Sequence, residues 1–503
     1  MLLSRQRIAE SVLETLERLQ QRHDIPKDVG YDLAAAATAL RHLQHVDHGG
    51  DQSVLTFGRQ ILTTLQAMRA TPLSGIAVAP QVHELLDTAI GAARRLVDSP
   101  LVGGELKRSF DTFLREIDGR FSQIASLAPK DVAPLFAAYA ADLLQQHNSF
   151  ELFDKGPPVA NQEMSTGEPL TEGNLTAYVR DKLSDPTALA RNVVVLPGGF
   201  GKETSLFSVS SRTLNADLVM RRDAPIDSFS GLDCHTAPRE FPLLRAVHAR
   251  GFPAPEPIFF EAQPKIISGP AFTIMRRAPG AVAGDATGGQ SRVTAALQSA
   301  LAQITARLHN IAPLTELAAN PAFGAALWNE SAQECTRRYL TTWYRLYRNS
   351  AHLPAPAMHG LFNWMLAHSP EAAAPASLVH GDIGFHNLLF NDGHLSAVLD
   401  WEFAHVGDPA EDLGYIRSVM GGQLDWPHFM TEYVAAGGVD AGEQRVRFFE
   451  IWSHVRNAAS SLMVTENFEA GRFRHIKYTM IVHRFVPHFI ARAAALIATF
   501  DTK

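Results

Sequence analysis

VHGDIGFHN at residues 379–387, followed by VLDWE at residues 398–402, is the part of this chain that decides its fold. Asp382 and Asn387 lie close together in the first stretch, and both stretches adjoin apolar residues that predict short β-strands. A tight loop with a carboxylate and an amide at this spacing could direct both groups toward one point. The hairpin that follows delivers a second carboxylate, Asp400. The sequence therefore predicts that two carboxylates and one amide meet at a single site.

This set of groups suits phosphoryl transfer, which requires little covalent help from a protein. The reaction requires a carboxylate that orients the attacking hydroxyl, and oxygen ligands that hold magnesium on the nucleotide phosphates. One of the two loop groups could lie at the hydroxyl and the other at the metal, while the second Asp completes the magnesium site. A His-x-Asp pattern alone is weak evidence, and we expect structural roles for His380 and Asp408. The inference depends on the combination of Asp382, Asn387 and Asp400.

The arrangement resembles the catalytic loop and metal-binding Asp of the aminoglycoside phosphotransferase and choline kinase family. In that family His-Gly-Asp, four residues and Asn precede an Asp that follows a strand. The resemblance implies that Asp382 is the catalytic base or orienter, that Asn387 and Asp400 bind magnesium, and that the cofactors are ATP and Mg²⁺. It also implies an α+β, bilobal protein-kinase-like fold with a five-stranded small lobe and a mainly helical large lobe. Gly407-Asp408-Pro409 and Asp412-Leu413 match the family's next stretch, where the acids cap and brace helices.

A glycine-rich loop, PGGFGKET at residues 197–204, precedes this region. Glycines let backbone N–H groups approach phosphates closely, and successive N–H groups form an anion-binding concavity. The loop misses the Walker A pattern because of Leu196 and Glu203, and it misses the dinucleotide fingerprint because of Thr204. In isolation it predicts an ordinary hairpin turn, but before a kinase-like site it resembles the family's nucleotide-covering loop. That resemblance implies nucleotide contacts from Gly198, Gly199, Gly201, Lys202 and Thr204.

A strand that ends in two arginines, LVMRRD at residues 218–223, lies where a kinase-like fold presents a cation to the nucleotide phosphates. The residue expected there is Lys, and Arg221 aligns with it best, although Arg222 could take the role. Arginine can serve because its guanidinium binds phosphate through two N–H groups. Glu240 is the helix carboxylate that would hold this cation, and the alternative is that Glu240 is a solvated helix residue.

The segment FTIMRRAPG at residues 272–280 resembles the crossing between the two lobes, where backbone groups near Met275 and Ala278 would bind the adenine edge. Within the superfamily, the Gly-Gly-x-x-x-Glu-Thr loop, the Arg-Arg strand and the Asp-Trp-Glu triplet are most similar to certain bacterial enzymes. Those enzymes are phosphotransferases related to the kinase domain of some acyl-CoA dehydrogenases. The specific motifs span residues 190–415.

Changes in residue pattern divide the chain into four parts. Residues 1–150 have apolar residues at helical spacing and predict a separate all-α bundle before the kinase-like part. Residues 151–190 predict a polar linker and a lead-in helix. Residues 191–280 contain short β-rich runs that predict the small lobe, with one helix after its third strand. Residues 281–503 predict the helical large lobe, with the catalytic loop and the substrate region.

Composition excludes several classes of protein. The net charge of −7 argues against a nucleic-acid or anionic-membrane partner. No apolar run reaches the length of a membrane span, and charges interrupt the N-terminus before a signal-peptide run develops. Cys234 and Cys335 belong to no CxxC pattern, which argues against a zinc site or a disulfide framework. We expect a soluble cytoplasmic protein whose partners are a nucleoside triphosphate and a small hydroxylated substrate.

The substrate region gives an electrostatic indication of the acceptor. Between residues 441 and 503 basic residues outnumber acidic ones, whereas a pocket for a polycationic aminoglycoside should be acidic. The acceptor is then a hydroxyl of a neutral or anionic molecule, such as a hydroxyacyl-CoA or a macrolide-like compound. The alternative is that these bases lie on solvated helix faces.

Two other functional classes compete with an active kinase. One is a non-catalytic nucleotide-binding pseudokinase or scaffold that acts through the N-terminal bundle, and only the Arg at the Lys position favours it. The other is a hydrolase that uses His380 and an acid. It is disfavoured because the sequence has no Ser or Cys nucleophile in a Gly-x-Ser-x-Gly context. The bundle could also form a homo-oligomer, dock a protein partner or cover the cleft.

Overall fold

The computed structural model describes most of the chain in two compact units. Unit 1 comprises Met1–Gln162, Trp343–Ser369 and His454–Lys503, and unit 2 comprises Glu163–Thr342 and Pro370–Ser453. The described residues are 51–127 except 53 and 74, 167–196, 202–223, 235–284, 293–350, 353–372, 374–469 and 485–500, with positions 13, 16, 36, 37 and 481.

The secondary-structure elements alternate from helical to β-rich and back to helical along the chain. The helices are α1 (Ala79–Val97), α2 (Gly103–Leu127), α3 (Glu172–Leu183), α4 (Ala237–Ala249), α5 (Ala295–His309), α6 (Ala332–Asn349), α7 (Pro356–Ala367), α8 (Ala410–Met420), α9 (Trp426–Ala435), α10 (Glu443–Glu469) and α11 (Val486–Ile497). The strands are β1 (Leu189–Leu196), β2 (Lys202–Ser210), β3 (Asn215–Asp223), β4 (Pro257–Glu261), β5 (Phe272–Arg276), β6 (Ala281–Val282), β7 (Ser377–Val379), β8 (Leu388–Asn391), β9 (His394–Val398) and β10 (His405–Gly407). Short 3₁₀ helices cover Thr315–Leu317, Leu327–Asn329 and Trp401–Phe403.

The described part of unit 1 is helical, as the sequence predicts for the N-terminal region. Residues 54–70 form a helix that packs with α1 and α2 around one apolar core. Its buried apolar residues recur every three or four positions, which is the period of one helix face: Val54, Phe57, Ile61, Leu65 and Met68. The parts of the predicted bundle in residues 1–50 and 128–150 lie outside the described residues, apart from positions 13, 16, 36 and 37.

Unit 1 also contains two segments from the region predicted to form the large lobe, Trp343–Ser369 and His454–Lys503. In α7 every residue from Ala357 to Met365 is buried, and the helix packs on α2 and α11. The backbone N–H of Ala355, just before α7, donates a 3.0 Å hydrogen bond to Asp118 of α2. A helix that is apolar on every face has no stripe that reveals its packing partner. The division of the chain into two units therefore differs from the predicted domain boundaries. The predicted boundary at residue 150 lies outside the described residues.

The first half of unit 2 is the predicted small lobe. Its five antiparallel strands have the order β1-β2-β3-β5-β4, and α4 is inserted between β3 and β4. The predicted five-stranded sheet with a helix after its third strand is therefore confirmed. The lead-in helix α3 begins with a capping box in which Thr171 and Asn174 each bond the other's backbone N–H.

The second half of unit 2 is mainly helical, with short strands around the catalytic loop. The hairpin of β8 and β9 turns at Asp392 and Gly393, which both have positive φ, as a tight two-residue turn requires. Strand β7 pairs with β10, so the chain enters and leaves this region side by side. Among the described helices, none has the length and apolarity that a bilayer span needs.

Candidate active site

The loop after β7 holds Asp382 and Asn387 in direct contact. The Nδ2 atom of Asn387 donates hydrogen bonds of 2.9 Å to the backbone oxygen and to Oδ2 of Asp382. Because both bonds come from the amide nitrogen, the amide oxygen is the atom that could bind a metal. The structure thus brings together the two residues that the loop spacing paired.

Asp412, on α8, fixes the start of this loop. Its two carboxylate oxygens accept hydrogen bonds from the backbone N–H groups of His380, at 2.9 Å, and Gly381, at 2.8 Å. Gly381 has a φ of 78°, in the left-handed region that favours glycine. Burial alone would raise the pKa of Asp412, but its bonds to His309 and to the backbone N–H of His380 lower it below the usual value. Asp412 is therefore a buried carboxylate that braces the loop from α8.

His380 joins the catalytic loop to the segment after β9. Its Nδ1 accepts the backbone N–H of Asp382 at 3.2 Å, so its Nε2 carries the proton and donates to the backbone oxygen of Leu399 at 3.0 Å. Burial lowers the pKa of His380, which keeps the ring neutral. Its position is that of a structural residue, as predicted from the sequence.

Asp400 follows β9 in a left-handed conformation, with φ of 64° and ψ of 65°. Asp tolerates this region better than most residues with a Cβ atom. Just before it, the backbone N–H of Leu399 donates a 2.8 Å hydrogen bond to the backbone oxygen of Asn387. The two predicted metal ligands therefore lie on backbone segments that are tied directly to each other.

Glu240 is buried on α4 and has a cation on each of its oxygens. The Nη1 atom of Arg221 lies 2.8 Å from Oε1, and the ammonium of Lys202 binds Oε2. Burial alone would raise the pKa of Glu240, but Arg221 and Lys202 lower it. The alternative of a solvated helix residue is wrong, because only 1% of Glu240 is exposed.

Arg221 spans from Glu240 to Asp400. Its Nη2 atom lies 2.6 Å from Oδ1 of Asp400 and 3.8 Å from Oε2 of Glu402. Burial alone would lower the pKa of Arg221, but Asp400 and the other two carboxylates raise it above the usual value. Arg222 has other partners, Oε1 of Glu203 at 2.6 Å and a backbone oxygen. Successive strand residues face opposite sides, so Arg221 is the arginine that faces the site.

Two side chains beside the site were not singled out from the sequence. The imidazole Nε2 of His386 lies 3.4 Å from Oδ1 of Asp382. Glu402 belongs to the quoted Asp-Trp-Glu triplet, and burial together with the Asp400 carboxylate raises its pKa to about 8. Their closeness to the site could have been suspected from adjacency alone, since each lies within two residues of a predicted metal ligand.

The predicted nucleotide-covering loop is only partly described. Gly198, Gly199 and Gly201 lie outside the described residues. Lys202 and Thr204 belong to β2 rather than to a loop, where they pair in register with Asp223 and Arg221 of β3. The prediction that Lys202 and Thr204 lie in the loop is therefore wrong. Strand β2 begins earlier than the turn residues suggest, because its pairing with β3 continues to Lys202.

The predicted adenine-binding segment lies at the end of β5. Met275 is buried within the sheet, where it pairs with Val219 of β3 and Pro257 of β4. The next two residues also donate their N–H groups to backbone oxygens of neighbouring segments. Ala278 lies beyond these bonds, so its backbone is better placed than that of Met275 to bind another molecule.

Parts of this chain are similar to known proteins. Acyl-CoA dehydrogenase family member 11 of Pongo abelii is 30% identical over 185 residues, which are 36% of this chain and 22% of that protein. Viomycin phosphotransferase of Streptomyces vinaceus is 43% identical over 53 residues, or 10% of this chain and 18% of that protein. The matches thus span less than a quarter of these relatives. A crystal structure of a thermostable aminoglycoside phosphotransferase mutant with AMP-PNP and hygromycin B has a TM-score of 0.44 and 16% identity, with 65% of this chain and 98% of that chain covered.

The model of the phosphotransferase enzyme family matches residues 195–449. That range is more than half of the chain and includes Arg221, Glu240, Asp382, Asn387 and Asp400. This chain therefore belongs to the phosphotransferase enzyme family.

Proposed function

We propose that this family member transfers the γ-phosphoryl group of ATP, with magnesium, to a hydroxyl group of a small neutral or anionic molecule. The observation that carries the proposal is that hydrogen bonds connect the segments that hold Asp382, Asn387 and Asp400. Asn387 holds the carboxylate of Asp382, and a backbone hydrogen bond ties Asn387 to the residue before Asp400.

Asp382 is the proposed catalytic base. As the hydroxyl oxygen forms its bond to the γ-phosphorus, the bond from that phosphorus to the departing ADP oxygen breaks, and the hydroxyl proton passes to Asp382. Oδ2 of Asp382 is held by Asn387, so Oδ1 is the oxygen better placed to face the hydroxyl. The carboxylate is partly exposed, which leaves a path to an acceptor.

Asn387 and Asp400 are the proposed magnesium ligands. An amide oxygen and a carboxylate are the hard oxygen donors that Mg²⁺ prefers, and a site with two protein ligands completed by phosphates is common for this ion. Bound magnesium would neutralise charge on the phosphates. Arg221 is anchored through Nη1 on Glu240, and its Nη2 binds Asp400 in this structure. That second amino group would bind phosphate once magnesium takes the Asp400 carboxylate. Lys202 supports this anchor by occupying the other oxygen of Glu240.

The remaining nucleotide contacts follow from the family resemblance. The glycines at 198, 199 and 201 would cover the phosphates, with Lys202 and Thr204 at the start of the adjoining strand. We assign the adenine edge to the backbone near Ala278, with Met275 behind it in the sheet.

We expect Asp400→Asn to raise the magnesium concentration for half-maximal activity tenfold or more. The substitution removes one anionic ligand, and a tenfold change corresponds to about 1.4 kcal/mol of metal binding. Titration of activity with MgCl₂ at saturating ATP checks this. Asp392→Asn, at the exposed turn of the neighbouring hairpin, is the matched control and should titrate like the wild type. Identical titrations for all three proteins would remove Asp400 from the metal site.

We expect Arg221→Gln to raise the KM for ATP about 10–100-fold, the range for a charge-assisted hydrogen bond to phosphate. Arg222→Gln is the matched control, since its guanidinium binds Glu203 and a backbone oxygen instead. It should change the KM for ATP by less than about twofold. Steady-state kinetics with varied ATP distinguish the two arginines, and the reverse ranking would assign the phosphate contact to Arg222.

The basic residues of the substrate region bear on the class of acceptor. Of the basic residues expected in the substrate region, Arg445 is bound to Asp408, and Arg447 and Arg456 are buried. These three arginines do not lie on solvated helix faces, and they are not available to bind an anionic acceptor. The similarity to part of an acyl-CoA dehydrogenase family member favours a hydroxyacyl-CoA acceptor over a macrolide-like compound.

A screen for ADP release tests the function directly. Purified protein with ATP and magnesium is offered hydroxyacyl-CoA thioesters, macrolides, aminoglycosides and hydroxylated metabolites, with Asp382→Asn as the background. We expect release above that background with a hydroxyacyl-CoA. Turnover of aminoglycosides alone would overturn the acceptor class. Nucleotide binding without release for any acceptor, and without magnesium-dependent ATP hydrolysis, would favour the pseudokinase alternative, for which Arg221 in place of Lys is the supporting observation.

A further inference from the structure

His386 contacts the proposed catalytic base on the side opposite Asn387. Oδ2 of Asp382 accepts from Nδ2 of Asn387 at 2.9 Å, whereas Oδ1 lies 3.4 Å from Nε2 of His386. Each carboxylate oxygen therefore has its own nitrogen partner from the same loop.

The loop is built to receive the imidazole ring. A Cβ atom on Gly384 would lie 2.8 Å from Cε1 and 2.9 Å from Nδ1 of His386, distances that real Cβ contacts do not show. Gly384 does not have a positive φ, so the backbone conformation does not require glycine at this position. Tyr415 of α8 also lies beside the ring, with ring centroids 6.2 Å apart. Glycine at 384 is thus explained by the space that the His386 ring occupies.

We infer that His386 is a positioning residue for the reaction: its Nε2–H holds Oδ1 of Asp382 in the orientation that meets the acceptor hydroxyl. The inference rests on the proposed phosphotransferase reaction. A carboxylate oxygen has two lone pairs, so Oδ1 can accept a hydrogen bond from His386 and the proton of the acceptor hydroxyl at the same time. In this role the imidazole acts through Asp382 and not by binding ATP or acceptor. Its removal should therefore slow the chemical step and leave substrate binding unchanged.

Three substitutions at one position test this role. We expect His386→Ala to lower kcat about tenfold, as for one hydrogen bond to a charged group, with unchanged KM for ATP and acceptor. His386→Gln places an amide N–H near the same point and should recover most of kcat. His386→Phe keeps the bulk of the ring without a donor and should remain slow. A purely packing role would give the opposite order, with Phe active and Gln slow, and would overturn the inference.

A double-mutant cycle gives an independent test. Gly384→Ala should slow the wild type because its methyl group displaces the His386 ring, and it should have no further effect in the His386→Ala background. Additive losses would show that Gly384 acts separately from His386. His394→Gln, at the exposed first residue of β9, is the control for a histidine substitution and should keep wild-type kcat.

The inference and the function on which it rests fail in different ways. If the wild type transfers no phosphoryl group to any acceptor, or if Asp382→Asn is fully active, the proposed function fails. If the wild type is active and Asp382→Asn is not, but His386→Ala has wild-type kcat, only the inference about His386 is overturned. Thermal unfolding of each variant confirms that the rates are compared between folded proteins.

Discussion

Replacing Asp382 with Asn will lower kcat about 10²–10⁴-fold, the usual contribution of a general base, while ATP binding stays within about twofold of the wild type. The amide has the shape of the carboxylate but cannot take the hydroxyl proton at neutral pH. The contact with Asn387 can persist, because the amide oxygen of the substituted side chain can accept the hydrogen bond that Oδ2 of Asp382 accepts now. The loss should therefore appear in kcat and not in nucleotide affinity.

The measurements are the rate of ADP release at saturating substrates and calorimetric titration with a non-hydrolysable ATP analogue. Asp392→Asn provides the control, since it makes the same chemical change at an exposed turn whose positive φ Asn also tolerates. Wild-type turnover by Asp382→Asn would remove Asp382 from the reaction. Loss of nucleotide binding with a folded protein would place it among the metal or nucleotide ligands instead.

Asp412→Ala will lower the free energy of unfolding by about 3–5 kcal/mol, the usual cost of removing one partner from a buried charged network. The Asp412 carboxylate is fully buried and binds the backbone of His380 and Gly381 and the ring of His309. Without it two loop N–H groups and an imidazole lose their acceptor. Activity should fall as well, because the same hydrogen bonds place the loop that carries Asp382.

Denaturant unfolding measures the stability change. Asp425→Ala is the control, because Asp425 caps α9 through a single exposed hydrogen bond and should cost only about 0.5–2 kcal/mol. The folded-state pKa of Asp412 lies below its unfolded value, so its contribution is complete above about pH 4 and is lost as the pH falls further. The wild type should therefore lose more stability on strong acidification than Asp412→Ala. Equal stability of the two proteins at neutral pH would contradict the bracing role.

The sequence by itself determined the class of fold and the members of the central constellation. The contacts within a loop depend on residues that are close in sequence. Asp382 and Asn387 are five positions apart in one tight loop, and a short hairpin leads from Asn387 to Asp400. The five-stranded sheet was likewise predictable, because period-two patterns and turn residues lie within single short segments. The position of β2 was less predictable, since its first residue, Lys202, is placed in the described sheet by its pairing with Asp223 of β3.

The tertiary structure alone decided which charges meet across the sequence. Arg221 reaches Asp400 across 179 positions, and Glu240 receives both Arg221 and Lys202. Nothing in the local pattern tells a buried Glu on a helix from a solvated one, because the difference lies in the strands that pack against it. The same reason applies to α7, whose apolar faces did not reveal that it packs in unit 1. The geometry of a loop or hairpin depends on consecutive residues, whereas ion pairs between distant residues depend on how the whole chain packs.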